Sequence, residues 1–195
     1  MRPVAVAACL VALVLAASAG ADAQNKGSHH GDHNGASPKT PYAGMQTRTV
    51  SSLSPADITD IEAGRGWGLA LPAELNGYPG PLHVIELAEP LKLTAEQRRK
   101  VEAVFKAMRA RASAAGTAFI AAEKRLDETF RSGRATPDVL RTRIEEAALK
   151  RAELRRAHLD AHLETAALLT AEQKTRYARL RGYGETKPPA RGSHH

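Results

Sequence analysis

Two histidines four positions apart are the side chains of this 195-residue chain with the clearest capacity for chemistry. His158 and His162 lie in a long stretch of helical sequence, and residues separated by four positions share one face of an α-helix. Two imidazoles at that spacing can bind one metal ion. The structural alternative is that they form the polar border of an apolar stripe, since each directly precedes a leucine, Leu159 or Leu163.

A second pair of donors precedes this region, because His83 and Glu86 are three positions apart on a predicted short helix. If that helix packs against the helix of the histidine pair, the two residues would supply a third and a fourth ligand. Imidazole and carboxylate together suit zinc, nickel, cobalt or copper. The predicted metal site consists of His83, Glu86, His158 and His162.

No nucleophile, base and acid with catalytic spacing can be identified from the linear order. The Gly-rich segment 64–68 lacks the preceding strand and the full spacing of a phosphate-binding loop, so we predict a turn there. We therefore expect neither an enzyme nor an organic cofactor.

The pentapeptide Leu-Thr-Ala-Glu-Gln occurs twice, over residues 93–97 and 169–173, and predicts two helix starts. In each copy the Thr oxygen can accept from the backbone N–H of the third helical residue, while that residue's Gln side chain reaches back to the Thr N–H. This reciprocal arrangement is a capping box. The motif residues expected to fix the two starts are Leu93, Thr94, Gln97, Leu169, Thr170 and Gln173.

Two long helices are predicted between and after these starts. The first should run over about residues 95–131 and the second over about 137–168, separated by a Ser-Gly turn. Such helices joined by a short turn form an antiparallel hairpin. The first apolar stripe consists of Val101, Phe105, Met108, Ala112, Ala115, Phe119, Ala122, Leu126 and Phe130. The second, interrupted by Arg155, consists of Ile144, Ala148, Ala152, Leu159, Leu163 and Ala166.

Residues 51–92 are predicted to form short helices and turns. Ser54 followed by Pro55 should start a helix that ends near Ala63, a second should cover 69–75, and a third should begin at Pro81 and extend up to Pro90. Residues 93–184 form the hairpin domain. Because no segment alternates as a strand does, the predicted fold class is all-α, a long antiparallel helical hairpin with short flanking helices.

The N-terminus predicts export. Arg2 precedes an apolar run of about 14 residues, which is too short to span a membrane as a helix, and small-residue cleavage sites follow. We expect a signal peptide over 1–23 with cleavage near Ala23, which would also remove the sole cysteine, Cys9. The mature protein would then be periplasmic and free of thiols.

Both ends of the mature chain are predicted to be disordered, over residues 24–50 and 185–195. Each carries histidines that would attract metal ions loosely. The C-terminal Arg-Gly-Ser-His-His is either such a natural tail or the remnant of an affinity tag. The terminal histidines are His29, His30, His33, His194 and His195.

The chain is basic, with 28 Lys and Arg against 21 Asp and Glu. Many arginines fall on the two long helices, but export argues against a nucleic-acid partner. One interpretation is a solvated helical face with intrahelical ion pairs. The other is a surface that attracts acidic unfolded chains or anionic lipid headgroups.

The two L-T-x-x-Q boxes, the signal peptide and the hairpin between the boxes resemble the Spy and CpxP family of periplasmic stress proteins and the related CnrX-type heavy-metal sensors. The similarity covers about residues 82–183. It implies a helical, commonly dimeric hairpin that acts as an ATP-independent chaperone, a regulator of envelope stress signalling or a metal sensor. For the sensors it implies a His/Glu set on one helix and a paired set on a long helix, which the four predicted metal ligands match by type.

Two functions follow as expectations. The first is a periplasmic metal-binding protein of the heavy-metal or envelope stress response. The second is an ATP-independent holdase for unfolded proteins, which needs no metal. The expected partners are a second copy of the chain, together with unfolded proteins or a membrane-bound signalling partner.

Overall fold

A computed structural model describes residues 40–183, and within this range the chain is helical without a strand. The predicted all-α fold class is confirmed. A 3-10 turn, Met45–Thr47, precedes the α-helices. The helices are α1 (Pro55–Glu62), α2 (Leu71–Glu74), α3 (Pro81–Glu86), α4 (Ala95–Arg131), α5 (Pro137–Leu168) and α6 (Ala171–Leu180).

The two long helices begin and end where the sequence predicts. Thr94 caps α4 through a complete capping box, and Thr136 caps α5 by accepting from the Val139 N–H. With 37 residues, α4 is about 55 Å long at ~1.5 Å per residue. Gly133 adopts a left-handed conformation in the short turn that reverses the chain. The helices pack along each other as an antiparallel hairpin.

Small residues form much of the contact between the long helices. Ala112 and Ala122 of α4 are buried, as are Ala157 and Ala161 of α5, so the two backbones approach closely. Gly116 of α4 likewise lets α1 approach α4 closely. A Cβ atom at Gly116 would lie 2.6 Å from Ile61 Cγ2, so only glycine lets α1 pack here without a shift.

The apolar stripe predicted for α4 is buried or half-buried except at its end, where Phe130 is 57% exposed beside the turn. The stripe predicted for α5 is wrong, because Ile144, Leu163 and several of its other members face solvent. The side of α5 that meets the rest of the protein carries small and polar residues instead. Its buried residues are Ala147, Leu154, Ala157, His158, Ala161, His162, Thr165 and Ala166.

Two hydrophobic clusters hold the short helices to the hairpin. The first lies where α1 and the loops beside it meet the middle of the hairpin, around Phe119 and Leu154. The second joins α3 and α6 to the start of α4, around Val84, Val101 and Tyr177. Both clusters combine residues that are far apart in sequence, so the short helices are held by tertiary packing.

The short helices match the predicted region with small changes. Ser54 caps α1 with a capping box, while α2 and α3 are shorter than the sequence predicts. The packed part also begins before residue 51, because Val50 is fully buried and belongs to the first cluster. The boundary of the predicted leader at residue 50 is therefore too late.

None of the helices within residues 40–183 is long and apolar enough to cross a membrane. The predicted signal peptide, the histidines near both termini and the C-terminal tail lie outside the described residues.

Candidate functional site

The two capping boxes contact each other through their glutamines. Gln97 Nε2 donates to Gln173 Oε1 at 2.9 Å, and Gln173 Nε2 donates back to Gln97 Oε1 at 3.1 Å. The same amides also donate to the carbonyls of Leu168 and Leu91, which precede the opposite motif. Each Oε1 still accepts from its own threonine N–H. The repeated motif thus caps two helices and joins their starts.

The leucines of the motifs complete this junction. Leu169 is buried in the second cluster, and Leu93 packs against it from a half-buried position. The six predicted motif residues therefore form one structural unit at the end of the hairpin away from its turn. The threonines cap α4 and α6, the glutamines join the starts of these two helices, and the leucines pack in or against the second cluster.

The histidine pair lies on the inner face of α5. His158 is 2% exposed and His162 is 9% exposed, and both line a cavity of about 450 Å³. The other walls come from residues 64–83 and from Phe105, Met108 and Arg109 of α4. The interpretation of these histidines as border residues of a leucine stripe is wrong, since Leu163 is exposed while the histidines are buried.

His162 is oriented by the backbone. Its Nδ1 lies 2.7 Å from the Tyr78 carbonyl oxygen, and because a carbonyl only accepts, Nδ1 must carry the proton. In the neutral ring Nε2 then has a free lone pair. Gly80 packs closely against this ring, because a Cβ atom there would lie 3.0 Å from His162 Cε1 and 3.1 Å from Nε2.

His158 has a buried nitrogen without a hydrogen bond. Its Nε2 has no partner among the residues that the structure describes. Burial, and secondarily the neighbouring His162, lowers the pKa of His158, so the ring is neutral at neutral pH. A neutral imidazole with a free nitrogen is the form that binds metal ions.

The four predicted metal ligands are only partly brought together. His83 lines the same cavity as the histidine pair, but its Nδ1 donates to Glu86 Oε2 at 2.9 Å at the protein surface. Glu86 is not part of the cavity wall. Across residues 40–183, no three His, Cys, Asp or Glu side chains are close enough together to hold one ion.

Glu74 is a residue of this region that the sequence did not reveal. Its carboxylate is almost fully buried and accepts from Tyr177 Oη at 2.6 Å and from Tyr183 Oη at 2.7 Å, both through Oε1. Its Oε2 accepts from the Gly80 N–H at 3.1 Å and lies 3.8 Å from His162 Nδ1. Glu74 therefore links α2, the loop before α3, α5 and the C-terminal end of the described chain.

The charge of Glu74 is stabilised inside the protein. Burial by itself would raise the pKa of this carboxyl, but the hydrogen bonds from the two tyrosines and from Gly80 outweigh burial and lower the pKa. No local pattern identifies such a residue, because its two tyrosine partners are about a hundred positions away in the sequence. A single glutamate in a four-residue helix does not indicate a buried, hydrogen-bonded carboxylate.

Paired capping boxes at the open end of a long helical hairpin define the class of this protein. The model of the family described as "LTXXQ motif family protein" matches residues 82–181. The chain belongs to this family, which is of the Spy/CpxP type, and the predicted relationship is confirmed. The family comprises non-enzymatic stress and sensor proteins that are usually periplasmic. No curated protein and no solved structure matches the chain.

Proposed function

We propose that the protein acts in the periplasm, in the heavy-metal or envelope stress response, and that it binds a transition metal ion through His158 and His162. The observation that supports this function best is the unpartnered, buried Nε2 of His158 beside a second imidazole on the same helix face. A buried nitrogen without a partner costs about 1–3 kcal/mol. A bound ion would remove that cost.

The surroundings of His162 also suit a metal ligand. Ligating histidines commonly donate their second ring N–H to a backbone carbonyl or a carboxylate, which fixes the ring and leaves the other nitrogen for the ion. The Tyr78 carbonyl has this role here. Two imidazoles leave further positions of the ion open, and His83 in the same cavity wall would fill one after leaving Glu86. The favoured ions are zinc, nickel, cobalt and copper.

Calorimetric titration of the metal-free full-length protein with Zn, Ni, Co and Cu tests this function. We expect one site that loses at least about tenfold in affinity in the double variant His158→Ala, His162→Ala, because both first ligands are removed. The matched control is Glu86→Ala, which should not weaken binding, because Glu86 lies outside the cavity wall and its removal only releases His83. Unchanged tight binding in the double variant would show that the metal binds elsewhere in the chain and refute the proposal.

A holdase is the second candidate, and one observation favours it. Ile144, Leu149 and Leu163 of α5 are each at least half exposed, and they share this helix with the exposed Arg155 and Arg156. Apolar side chains bordered by positive charge suit unfolded, acidic chains. This role would be supported if the protein slows aggregation of a denatured client while a chelator keeps it free of metal. Homodimer formation and a membrane-bound signalling partner are further proposals.

A further inference from the structure

The cavity beside the histidine pair is far larger than a metal ion requires. We propose that it binds a neutral, mainly apolar organic molecule that carries one hydroxyl group, with that hydroxyl hydrogen-bonded to His158 Nε2. This inference goes beyond metal binding and does not depend on it, because every feature that supports it belongs to the metal-free chain.

The size and walls of the cavity fit such a molecule. Its volume of about 450 Å³ lies within the range of small-molecule sites, which is roughly 300–1,000 Å³. Most of the wall is apolar, and burying apolar ligand surface against it is the main source of affinity. The apolar lining includes Trp67, Leu71, Pro81, Leu82, Phe105 and Met108.

The cavity can be entered without opening the hydrophobic core. Leu71 is 53% exposed and Leu82 is 43% exposed, although both line the cavity, so they form an apolar rim that faces solvent. A ligand in the cavity would cover part of both.

One polar group in the wall lacks a partner, and it selects the hydroxyl. His158 is almost completely buried, and its Nε2 makes no hydrogen bond within the described chain. In a neutral ring, Nε2 is either a donor or an acceptor, depending on the tautomer. A hydroxyl can both donate and accept, so it satisfies Nε2 in either case.

Apart from the free lone pair of His162 Nε2, the buried polar groups near His158 already have partners, which argues against a charged group at this position. His162 donates to the Tyr78 carbonyl, and Glu74 accepts from two tyrosines and Gly80. Arg65 pairs with Asp60, and Arg109 donates to the Ala63 carbonyl. Both arginines are exposed to solvent, so a charged group beside the buried His158 would have to break one of the buried contacts or stay unpaired against the apolar wall, and both are unfavourable.

Trp67 provides the measurement, because it is the single tryptophan of the chain and lies in the cavity wall. The metal-free full-length protein is titrated with menthol while tryptophan fluorescence is followed, and calorimetry gives the stoichiometry. We expect saturation at one menthol per chain. Menthylamine and menthoxyacetate, which place a charge near the hydroxyl position, should bind at least about fivefold more weakly because the charge remains unpaired.

The variant His158→Leu tests the hydrogen bond. Leucine replaces the imidazole by an apolar side chain of similar size that cannot form a hydrogen bond. Menthol should therefore still bind, but about fivefold more weakly, which is the effect of one lost hydrogen bond. Val139→Ser, at the exposed start of α5, is the control and should bind menthol as the unmodified chain does. The proposal is overturned if menthol gives no saturable signal up to its solubility limit, or if His158→Leu binds it equally well. Failed metal binding in the separate calorimetric test would leave these results unchanged.

Discussion

His158 and His162 differ in how their nitrogens are satisfied, although they are neighbours on one helix face. His162 donates to a carbonyl, whereas Nε2 of His158 has no partner in the described part of the chain. A buried polar atom without a partner destabilises the fold, and such an atom persists when it has another use. This contrast gives a stability test that needs no ligand.

We expect His158→Leu to stabilise the metal-free protein by about 1 kcal/mol, because an unsatisfied buried nitrogen is replaced by an apolar group. His162→Leu should instead destabilise it by about 1–3 kcal/mol, because the Tyr78 carbonyl loses its donor. Urea unfolding of both variants with a chelator present measures the two changes. Destabilisation by His158→Leu equal to that of His162→Leu would show that Nε2 of His158 is satisfied in solution.

The stability of the metal-free protein should also depend on pH through His158. Burial lowers the pKa of His158 in the folded state, so on acidification the unfolded chain takes up this proton first, at about pH 6.5. The folded state is therefore favoured most above about pH 6.5 and loses this contribution as the pH falls towards the folded-state pKa. Unfolding free energies measured between about pH 7.5 and 5 should show a shallower slope in His158→Leu. If the unmodified protein and His158→Leu show the same slope, His158 does not cause this pH dependence.

At the scale of elements, the boundaries of the two long helices were predictable, whereas the ends of α2 and α3 and the packing face of α5 were not. Capping is local, since Thr94 and Gln97 are three positions apart, so the start of α4 can be identified from the sequence alone. The face of α5 depends on its partner helix. Close approach of α4 buries Ala157 and Ala161, while larger apolar residues such as Leu163 remain outside. A pattern that ranks residues by hydrophobicity selects the wrong side.

The candidate site, like the fold, could be predicted only in part from the sequence. The spacing of His158 and His162 indicated a shared face of α5, and both residues are buried on that helix. The cavity in front of them could not be predicted, because its walls come from three separate parts of the chain. Glu74 was missed for the same reason.

The contact between the two capping boxes should appear as energetic coupling between residues 97 and 173. We expect Gln97→Ala and Gln173→Ala each to destabilise the protein, and the double variant to be less destabilised than the sum by about 1–2 kcal/mol, since either change breaks the same amide pair. A double-mutant cycle from urea unfolding measures this. Glu96→Ala with Glu172→Ala, at exposed first-turn positions of the two helices, is the matched control and should be additive. If the destabilisations caused by Gln97→Ala and Gln173→Ala simply add, the two caps act independently.

At the scale of the whole molecule, the two sides of the hairpin have different properties. The stretch of α5 around His158 and His162 lines the cavity, while Ile144, Leu149 and Leu163 are exposed elsewhere on this helix, among arginines. Metal binding and client binding would therefore use different surfaces of the same helix. The two functions can be separated by substitutions that affect one surface only.

The triple variant Ile144→Ser, Leu149→Ser, Leu163→Ser tests the exposed surface of α5. Because these side chains are at least half exposed, the free energy of unfolding should change little, by about 0.5 kcal/mol or less per site. If this surface holds unfolded chains, the variant should need several-fold more protein than the unmodified chain to delay aggregation of a chemically denatured client.

The matched control is Leu75→Ser, which removes an equally exposed leucine outside α5. Because it leaves the α5 surface intact, it should protect the client as well as the unmodified chain does, and metal affinity should be the same in all three proteins. Equal protection by the triple variant would exclude the exposed side of α5 as the client surface. Lost metal affinity in the triple variant would instead show that the two surfaces are coupled, which the separate positions of the histidines and the exposed leucines argue against.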